Sequence, residues 1–328
     1  MNFRNKIKKQ GFFLIAEIGN NHGGSIKTAK KMILEANKAG ADAIKLQYIK
    51  PENFIHPNEK KKIDILKKIC LTKNQILELY KFSKKKKIEI FSSIFDINEV
   101  SFFSNIQNYN KIASGDNNFI KLFEKISKKK PTFISTGFLD KNGVKNLYNK
   151  IKKYWPNKNF IRNNVCLMHC ISSYPADYES LNLLFLNTMN DKHYIKGFSD
   201  HSIGIDACII ANILGAKVIE KHFTLNKKNN FRDHQLSADP KDFSKLREKL
   251  ILNQKILGKN VKKLSISEKT EKMKSRRSIV SKKKILYGQK IKATDILYLR
   301  PRIKDNLFLE KKIINKKSKK NYSQYDYF

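Results

Sequence analysis

Alternation is the feature that most constrains this chain. Eight short apolar runs of β-forming residues recur along it, and each is followed by a stretch with helical spacing of its apolar residues. The runs are Phe12 to Gly19, Asp42 to Tyr48, Ile88 to Phe95, Tyr109 to Ser114, Pro131 to Thr136, Val165 to Ser172, the run from Gly197 that ends in Ser199-Asp200-His201, and Val218 to Thr224. Strands joined by helical crossovers are parallel. Eight such units over roughly 250 residues predict an α/β fold, a (β/α)8 TIM barrel. A doubly wound open sheet would carry a glycine-rich dinucleotide loop after its first strand, and Asn20-Asn21-His22-Gly23-Gly24 is not such a loop. Helix starts are written into Thr72-x-x-Gln75, into Asp96 with Glu99, and into Asp239-Pro240 with Asp242 after them.

The alternation predicts a barrel domain over 1–257, a polar, Lys-rich linker over 258–275 and a small β-rich domain over 276–328, punctuated by Gly288 and Pro301. A unit of about 50 residues buries little core and is expected to dock on something. The chain opens basic and then apolar, but that apolar run is short and contains Glu17, so it reads as a first strand and not a signal peptide. No apolar run approaches the ~20 residues of a membrane span. Cys70, Cys166, Cys170 and Cys208 show no CxxC pairing and read as reduced thiols. The expected location is the cytoplasm, without membrane contact.

Net charge is +39 among 328 residues. Such a balance invites a nucleic-acid reading, and a non-catalytic nucleic-acid-binding barrel is one alternative. Against it, the lysines are spread over predicted helix surfaces and no Arg- or aromatic-rich recognition segment stands out. A basic field of this kind also recruits small anions.

In barrel enzymes the chemistry collects at the C-terminal ends of the strands. There the sequence offers Glu17; Lys45 and Gln47; Ser92 and Ser93; Lys111, Ser114 and Asp116; Ser135 and Thr136; His169 and Ser172 to Tyr174; Ser199, Asp200 and His201; and Glu220, Lys221 and His222. A histidine near a strand end is usually a hydrogen-bonded core residue, and a lone serine there is usually a turn residue. His201 and His222, however, end neighbouring strands, and two imidazoles so placed can hold a divalent metal with positions left for substrate and water. Lys45 and Lys111 sit inside apolar runs and need anionic partners. Two ammonium groups with a ring of hydroxyls suit a phosphate and a carboxylate. A lysine in a barrel strand also serves as a Schiff-base nucleophile, so a class I aldolase using Lys111 or Lys45 is the other alternative. It leaves the two histidines without a task.

Seven motifs in order resemble the sialic acid synthase family: AEIGNNHGG from Ala16, GADAIKLQ from Gly40, KIASGDNN from Lys111, ISTGF from Ile134, HCISSYP from His169, GFSDHSIG from Gly197 and EKHFT from Glu220. The resemblance implies a barrel followed by an antifreeze-like (SAF) domain in a domain-swapped homodimer. It implies condensation of phosphoenolpyruvate with an open-chain N-acetylated hexose, either N-acetylmannosamine or a 2,4-diacetamido-trideoxyhexose, to a sialic-type acid and phosphate. By the same resemblance, His201 and His222 bind manganese, or Mg2+ or Co2+ in its place. Lys45, Ser93, Lys111, Ser114, Ser135, Ser172 and Ser199 hold phosphoenolpyruvate, and Glu17, Gln47, Tyr174, Asp233 and Arg300 hold the sugar. Asp116 is implied in proton handling, beside Lys111 and the two histidines as catalytic groups. Ser93 stands where the family usually has Thr, Ser172 where some members have Asn, and Asp116 where many have Glu. Beyond Pro301, Arg302 to Asn306 replace the family's glycine-containing turn.

Overall fold

The structure, a computed structural model, describes residues 3–155, 157–189, 192–229, 231–301 and 310–328. The chain divides into two compact units, Met1–Gly258 and Lys259–Phe328.

The first unit is a (β/α)8 barrel. Its strands are β1 (Phe13–Gly19), β2 (Ala43–Tyr48), β3 (Ile90–Ile94), β4 (Asn110–Ile112), β5 (Thr132–Ser135), β6 (Val165–Cys170), β7 (Ile195–Asp200) and β8 (Val218–His222). They form one parallel sheet in the order β3-β2-β1-β8-β7-β6-β5-β4. The two ends of that order, β3 and β4, lie side by side. Gln107 fills the seam between them: its Oε1 accepts from Ser92 N at 2.9 Å and its Nε2 donates to Ser92 O at 3.4 Å. A buried side-chain amide thus stands in for a peptide group that β3 would otherwise leave unpaired.

Alternate residues of each strand face the barrel axis. The lower interior holds Phe13, Ile15, Ala43, Phe91, Tyr109, Phe133, Cys166, Met168 and Val218. The opposite parity, with Leu14, Ala16, Ile44, Leu46, Ile134, Leu167, Phe198 and Ile219, packs outward in the core shared with the helices. Both faces are therefore buried, as a parallel sheet demands.

The predicted strand positions hold, with ends one to two residues shorter in most cases. Two capping signatures act as read: Thr72 and Gln75 form a reciprocal box, and Asp239 accepts from Asp242 N with Pro240 at the first helical position. In the third, Asp96 accepts from Asn98 N at the head of a 3-10 turn, but Glu99 caps nothing and pairs with Lys73 at 2.6 Å. Three expectations change. Residues 3–10, read as a basic lead-in, form a helix whose Phe3 packs edge-on against Phe13 and Phe133 at 5.1 and 5.3 Å and seals the lower end of the barrel. The run ending at Ser114 stops as a strand at Ile112, and Ser114–Asp116 is a 3-10 turn. After β6 come the 3-10 turns Tyr178–Ser180 and Leu183–Asn187 instead of an α-helix, with Asn182 between them at a φ of 44°.

The second unit contains a helix, Ile266–Ser275, and two antiparallel strands, β9 (Ser278–Ser281) and β10 (Ile296–Leu299). Ile279, Ile285, Ile291, Ile296 and Phe328 make its core. The Lys- and Tyr-rich tail is part of it, through Tyr322 N to Ile285 O at 2.8 Å and a Tyr322–Phe328 ring contact at 4.6 Å. The departure at Arg302 to Asn306 lies outside the described residues.

Candidate active site

Above the aromatic floor the inward parity of the strands turns polar. Glu17 of β1, Lys45 of β2, Ser93 of β3, Lys111 of β4, Ser135 of β5 and Glu220 of β8 stand two residues after inward apolar residues, and Ser199 of β7 two after Gly197. All seven are buried. Lys45 forms an ion pair with Glu17, and its Nζ lies 3.7 Å from Glu220 Oε1 and 3.4 Å from Ser93 Oγ. Lys111 Nζ lies 3.6 Å from Glu220 Oε2 and donates to Ser135 Oγ. Ser199 Oγ donates to Glu220 Oε1 at 3.0 Å.

Two carboxyl and two ammonium groups thus share one buried volume. Burial would neutralise each alone, and the partners decide which stays charged. Burial raises Glu17 to about 7 against the pull of Lys45, with Glu220 adding to the rise. Burial would raise Glu220 too, but Lys111, Lys45 and the Ser199 hydroxyl hold it below the usual carboxylate range. Lys45, opposed by burial, is held high by Glu17 and Glu220. Lys111 is pushed down, chiefly by burial.

The two histidines follow at the strand ends, their rings 5.4 Å apart. His201 Nδ1 lies 2.6 Å from Ile171 O, and its pKa is raised, against burial, by Cys170 and by that carbonyl; in its neutral form with the proton on Nδ1 the ring presents the Nε2 lone pair. His222 is buried beside His201 and the lysines and is held well below the ordinary imidazole value, so it is neutral, first from burial and then from His201 and Lys45. Its Nδ1 is buried without a hydrogen-bond partner, 3.5 Å from Asp233 Oδ2. A neutral, orphaned imidazole beside one that presents a lone pair in its neutral form is a donor set that suits a divalent cation taking its other ligands from substrate and water. Among the described residues no group of three or more His, Cys, Asp or Glu is arranged to hold a metal.

Lys45, Gln47, Ser93, Lys111, Ser114, Ser135, Tyr174, Ser199, His201 and His222 line one cavity, with Cys170 and Glu220 among them. It measures about 50 Å3, because the charged side chains close on one another. Two roomier concavities, of about 440 and 500 Å3, include none of these residues, and a third, of about 360 Å3, shares Gln47 with it. Glu17 joins the cluster through Lys45. Ser172 Oγ sits at the rim beside Ser114, both against Gly137, whose position a Cβ could not share. Asn117 pins that rim by donating to Ser135 O at 3.2 Å and Gly137 O at 2.9 Å. Asp116 is half-buried on its turn beyond the cavity lining, and burial raises its carboxyl to about 6. Arg300 belongs to the second unit and is exposed.

Six polar residues read toward this rim are engaged elsewhere. Thr136 Oγ1 donates to Met168 O at 3.0 Å and Ser173 Oγ to Pro175 O at 2.9 Å. Ser92 Oγ accepts from Tyr48 N at 3.0 Å on the outward face. His169 Nε2 donates to Leu181 O at 2.7 Å. Asp200 and Lys221 pair at 2.8 Å, fully buried, with Cys208 of the helix Asp206–Ile213 donating to Asp200 at 3.3 Å. Glu220, which joins both lysines, was one of several strand-end residues in the sequence. Parity with His222 was the signal that places it inside.

Residues 32–262 match the profile of the NeuB family. The chain is 32% identical to N,N'-diacetyllegionaminic acid synthase of Legionella pneumophila over 90% of this chain and 88% of that protein. It is 32% identical to pseudaminic acid synthase of Campylobacter jejuni, over 94% of this chain and 93% of that protein. The crystal structure of N-acetylneuraminic acid synthetase from Leptospira borgpetersenii, in complex with citrate, superposes with a TM-score of 0.72 at 33% identity, covering 79% of this chain and 90% of that one.

Proposed function

Because the chain belongs to the NeuB family, whose relatives here are synthases of nonulosonic acids, we propose that it condenses phosphoenolpyruvate with an open-chain N-acetylated hexose, giving a nine-carbon acid and phosphate. The observation that carries this reading is the convergence of Lys45, Lys111 and the Ser93, Ser135 and Ser199 hydroxyls on one buried cavity, beside His201 and a His222 imidazole whose Nδ1 has no hydrogen-bond partner.

The lysines bind the phosphate and carboxylate, exchanging part of their contact with Glu17 and Glu220 for the substrate's oxygens. The hydroxyls turn from the lysines to the same oxygens. Carbon 3 of phosphoenolpyruvate attacks the aldehyde carbon, and the aldehyde oxygen gains a proton. Water adds at carbon 2 and gives up a proton, and C–O cleavage releases phosphate. Lys45 and Lys111 stay against the anionic groups as charge moves. Asp116, whose carboxyl burial raises to about 6, is the group assigned here to proton exchange near the rim. His201 and His222 would hold a divalent cation, Mn2+ before Mg2+ or Co2+, which when bound supplies Lewis acidity toward the aldehyde oxygen. In this reading the second unit is an antifreeze-like domain, and its Arg300 completes the sugar site of a second copy in a homodimer.

The test is phosphate release from phosphoenolpyruvate with Mn2+, with and without chelator, across N-acetylmannosamine, its 6-phosphate and 2,4-diacetamido-trideoxyhexoses. Release that depends on one sugar and stops on chelation is expected, as is its loss in His201→Ala with the fold retained. Chelator-insensitive turnover, with borohydride trapping of substrate on Lys111 or Lys45, would replace this reading by the Schiff-base one.

A further inference from the structure

The two units differ in charge density. Residues 259–328 carry 22 Lys and Arg against 6 Asp and Glu, a net +16, whereas the 258 residues before them carry 46 against 23. Lysine is abundant everywhere, but per residue the second unit is more than twice as basic as the barrel. Within it the charge gathers at one turn. Leu286 to Gln289 closes through Gln289 N to Leu286 O at 3.1 Å and Leu286 N to Gln289 Oε1 at 2.9 Å, with Gly288 at a φ of 76°. The segment 317–321 runs alongside and pins it. Gly288 N donates to Ser318 O at 2.9 Å, Ser318 N to Gln289 O at 2.8 Å and Tyr287 N to Asn321 Oδ1 at 2.7 Å. Buried Ile285 and Ile291 anchor both ends of the turn in the core of the unit.

Lys284 and Lys290 flank the turn, and Lys317, Lys319 and Lys320 lie on the neighbouring segment; all five are exposed. Among the described residues none of the five pairs with a carboxylate, the ion pairs of this unit being Lys262 with Glu268 and Lys283 with Asp295. No Asp or Glu occurs over 282–292 or 311–322. Between these lysines stand Leu286 and Tyr287, 53% and 74% exposed. One exposed apolar side chain is ordinary. Two at a turn held by bonds on both sides, among cations of one sign, are not explained by the core beneath them.

We propose that this turn and the segment beside it dock on an anionic lipid bilayer, with the lysines against headgroup phosphates and Leu286 and Tyr287 at the edge of the acyl chains. A lysine cluster of this size is drawn to an anionic surface. A short apolar wedge with an amphipathic ring suits the boundary between headgroups and acyl chains. Nucleic acid fits less well: these two segments hold no Arg to fork onto phosphates, and an aliphatic Leu offers no base a ring to stack on. The expectation of no membrane contact rested on the lack of an apolar span. Among the described residues no helix is long and apolar enough to cross a membrane, and surface docking needs none. Docking of this kind does not depend on the condensation proposed above.

The experiment is flotation of the full chain with vesicles of phosphatidylcholine alone and of phosphatidylcholine with about 30% phosphatidylglycerol, at about 0.1 and 0.5 M salt. Binding is expected to the anionic vesicles only, and to weaken at the higher salt. Lys319→Glu with Lys320→Glu is expected to weaken it at least about tenfold, and Leu286→Ser with Tyr287→Ser several-fold. Lys150→Glu with Lys153→Glu, the same charge change at exposed positions of the barrel helix Lys141–Tyr154, is expected to leave it near wild type. Unfolding midpoints and light scattering control for folding and assembly. No binding to anionic vesicles, or equal weakening by the barrel pair, overturns the proposal. So does a changed oligomeric state in Leu286→Ser with Tyr287→Ser, which would make the turn a contact between copies. Tighter retention on single-stranded RNA at the same salt, lost in Lys319→Glu with Lys320→Glu, would assign the surface to nucleic acid instead.

Discussion

Gly137 has no side chain because two hydroxyls stand where one would go. A Cβ there would collide with Ser172 Oγ and come within 2.6 Å of Ser114 Oγ. Gly137→Ala is therefore expected to push these hydroxyls off the rim, raising KM for phosphoenolpyruvate at least tenfold with a stability loss of about 1–3 kcal/mol. Steady-state kinetics and urea unfolding measure the two effects, and an unchanged KM would remove Ser114 and Ser172 from the phosphate-binding set. Asp116 makes a residue-scale prediction in pH. Its folded-state carboxyl lies at about 6, above the ordinary aspartate value of 3.8, because burial disfavours the anion. The folded protein therefore holds more protons than the unfolded chain between those values, and this group lowers stability as pH rises from about 4 to 6. Asp116→Asn should match wild type near pH 4 and exceed it at pH 7 by about 1 kcal/mol, the size reduced by the group's partial exposure. Thermal unfolding at the two pH values checks it, and a gap that widens toward acid would contradict the sign.

At the scale of elements, each strand works on two faces at once. On β7 and β8, Ser199 and Glu220 meet inside the barrel while Asp200 and Lys221 meet outside it, one residue further on. The sequence shows the alternation in both strands, but it does not say which face is interior when both are buried. That is why Ser92, His169, Asp200 and Lys221 read as site residues and are structural. Lys221→Met should leave Asp200 buried without its cation, at a cost of about 3–5 kcal/mol. Denaturant unfolding measures this loss. A lysine at the active-site rim would instead show its loss in kcat/KM with stability near wild type. The seam between β3 and β4 is likewise an element-scale feature: Gln107 ends the helix Val100–Ile106 and its side chain meets Ser92 of β3.

For the whole molecule, a charge of +39 sets two opposite responses to salt. Self-repulsion is relieved as ionic strength rises, so the unfolding temperature should increase from low salt to about 0.15 M, where the Debye length is near 8 Å. The same screening weakens recruitment of a small anion, so KM for phosphoenolpyruvate should rise over that range. Parallel titrations of both quantities test the pairing; a KM indifferent to salt would confine the electrostatics of binding to Lys45 and Lys111. At this scale, too, the two units each bury a core of their own.

The sequence by itself determined the alternation of strands and helices, the caps that start the helices, and the residue types gathered at the strand ends. These are local signals, carried by periodicity and by neighbours a few positions apart. Only the tertiary structure decided which parity faces the axis, that Glu220 stands between Lys45 and Lys111, that Phe3 seals the lower end of the barrel, and that Gln47 lines two cavities at once. Each of these depends on residues far apart in the chain being brought together by closure of the sheet. A period of two tells which side chains share a face, but closure alone makes one of those faces an interior.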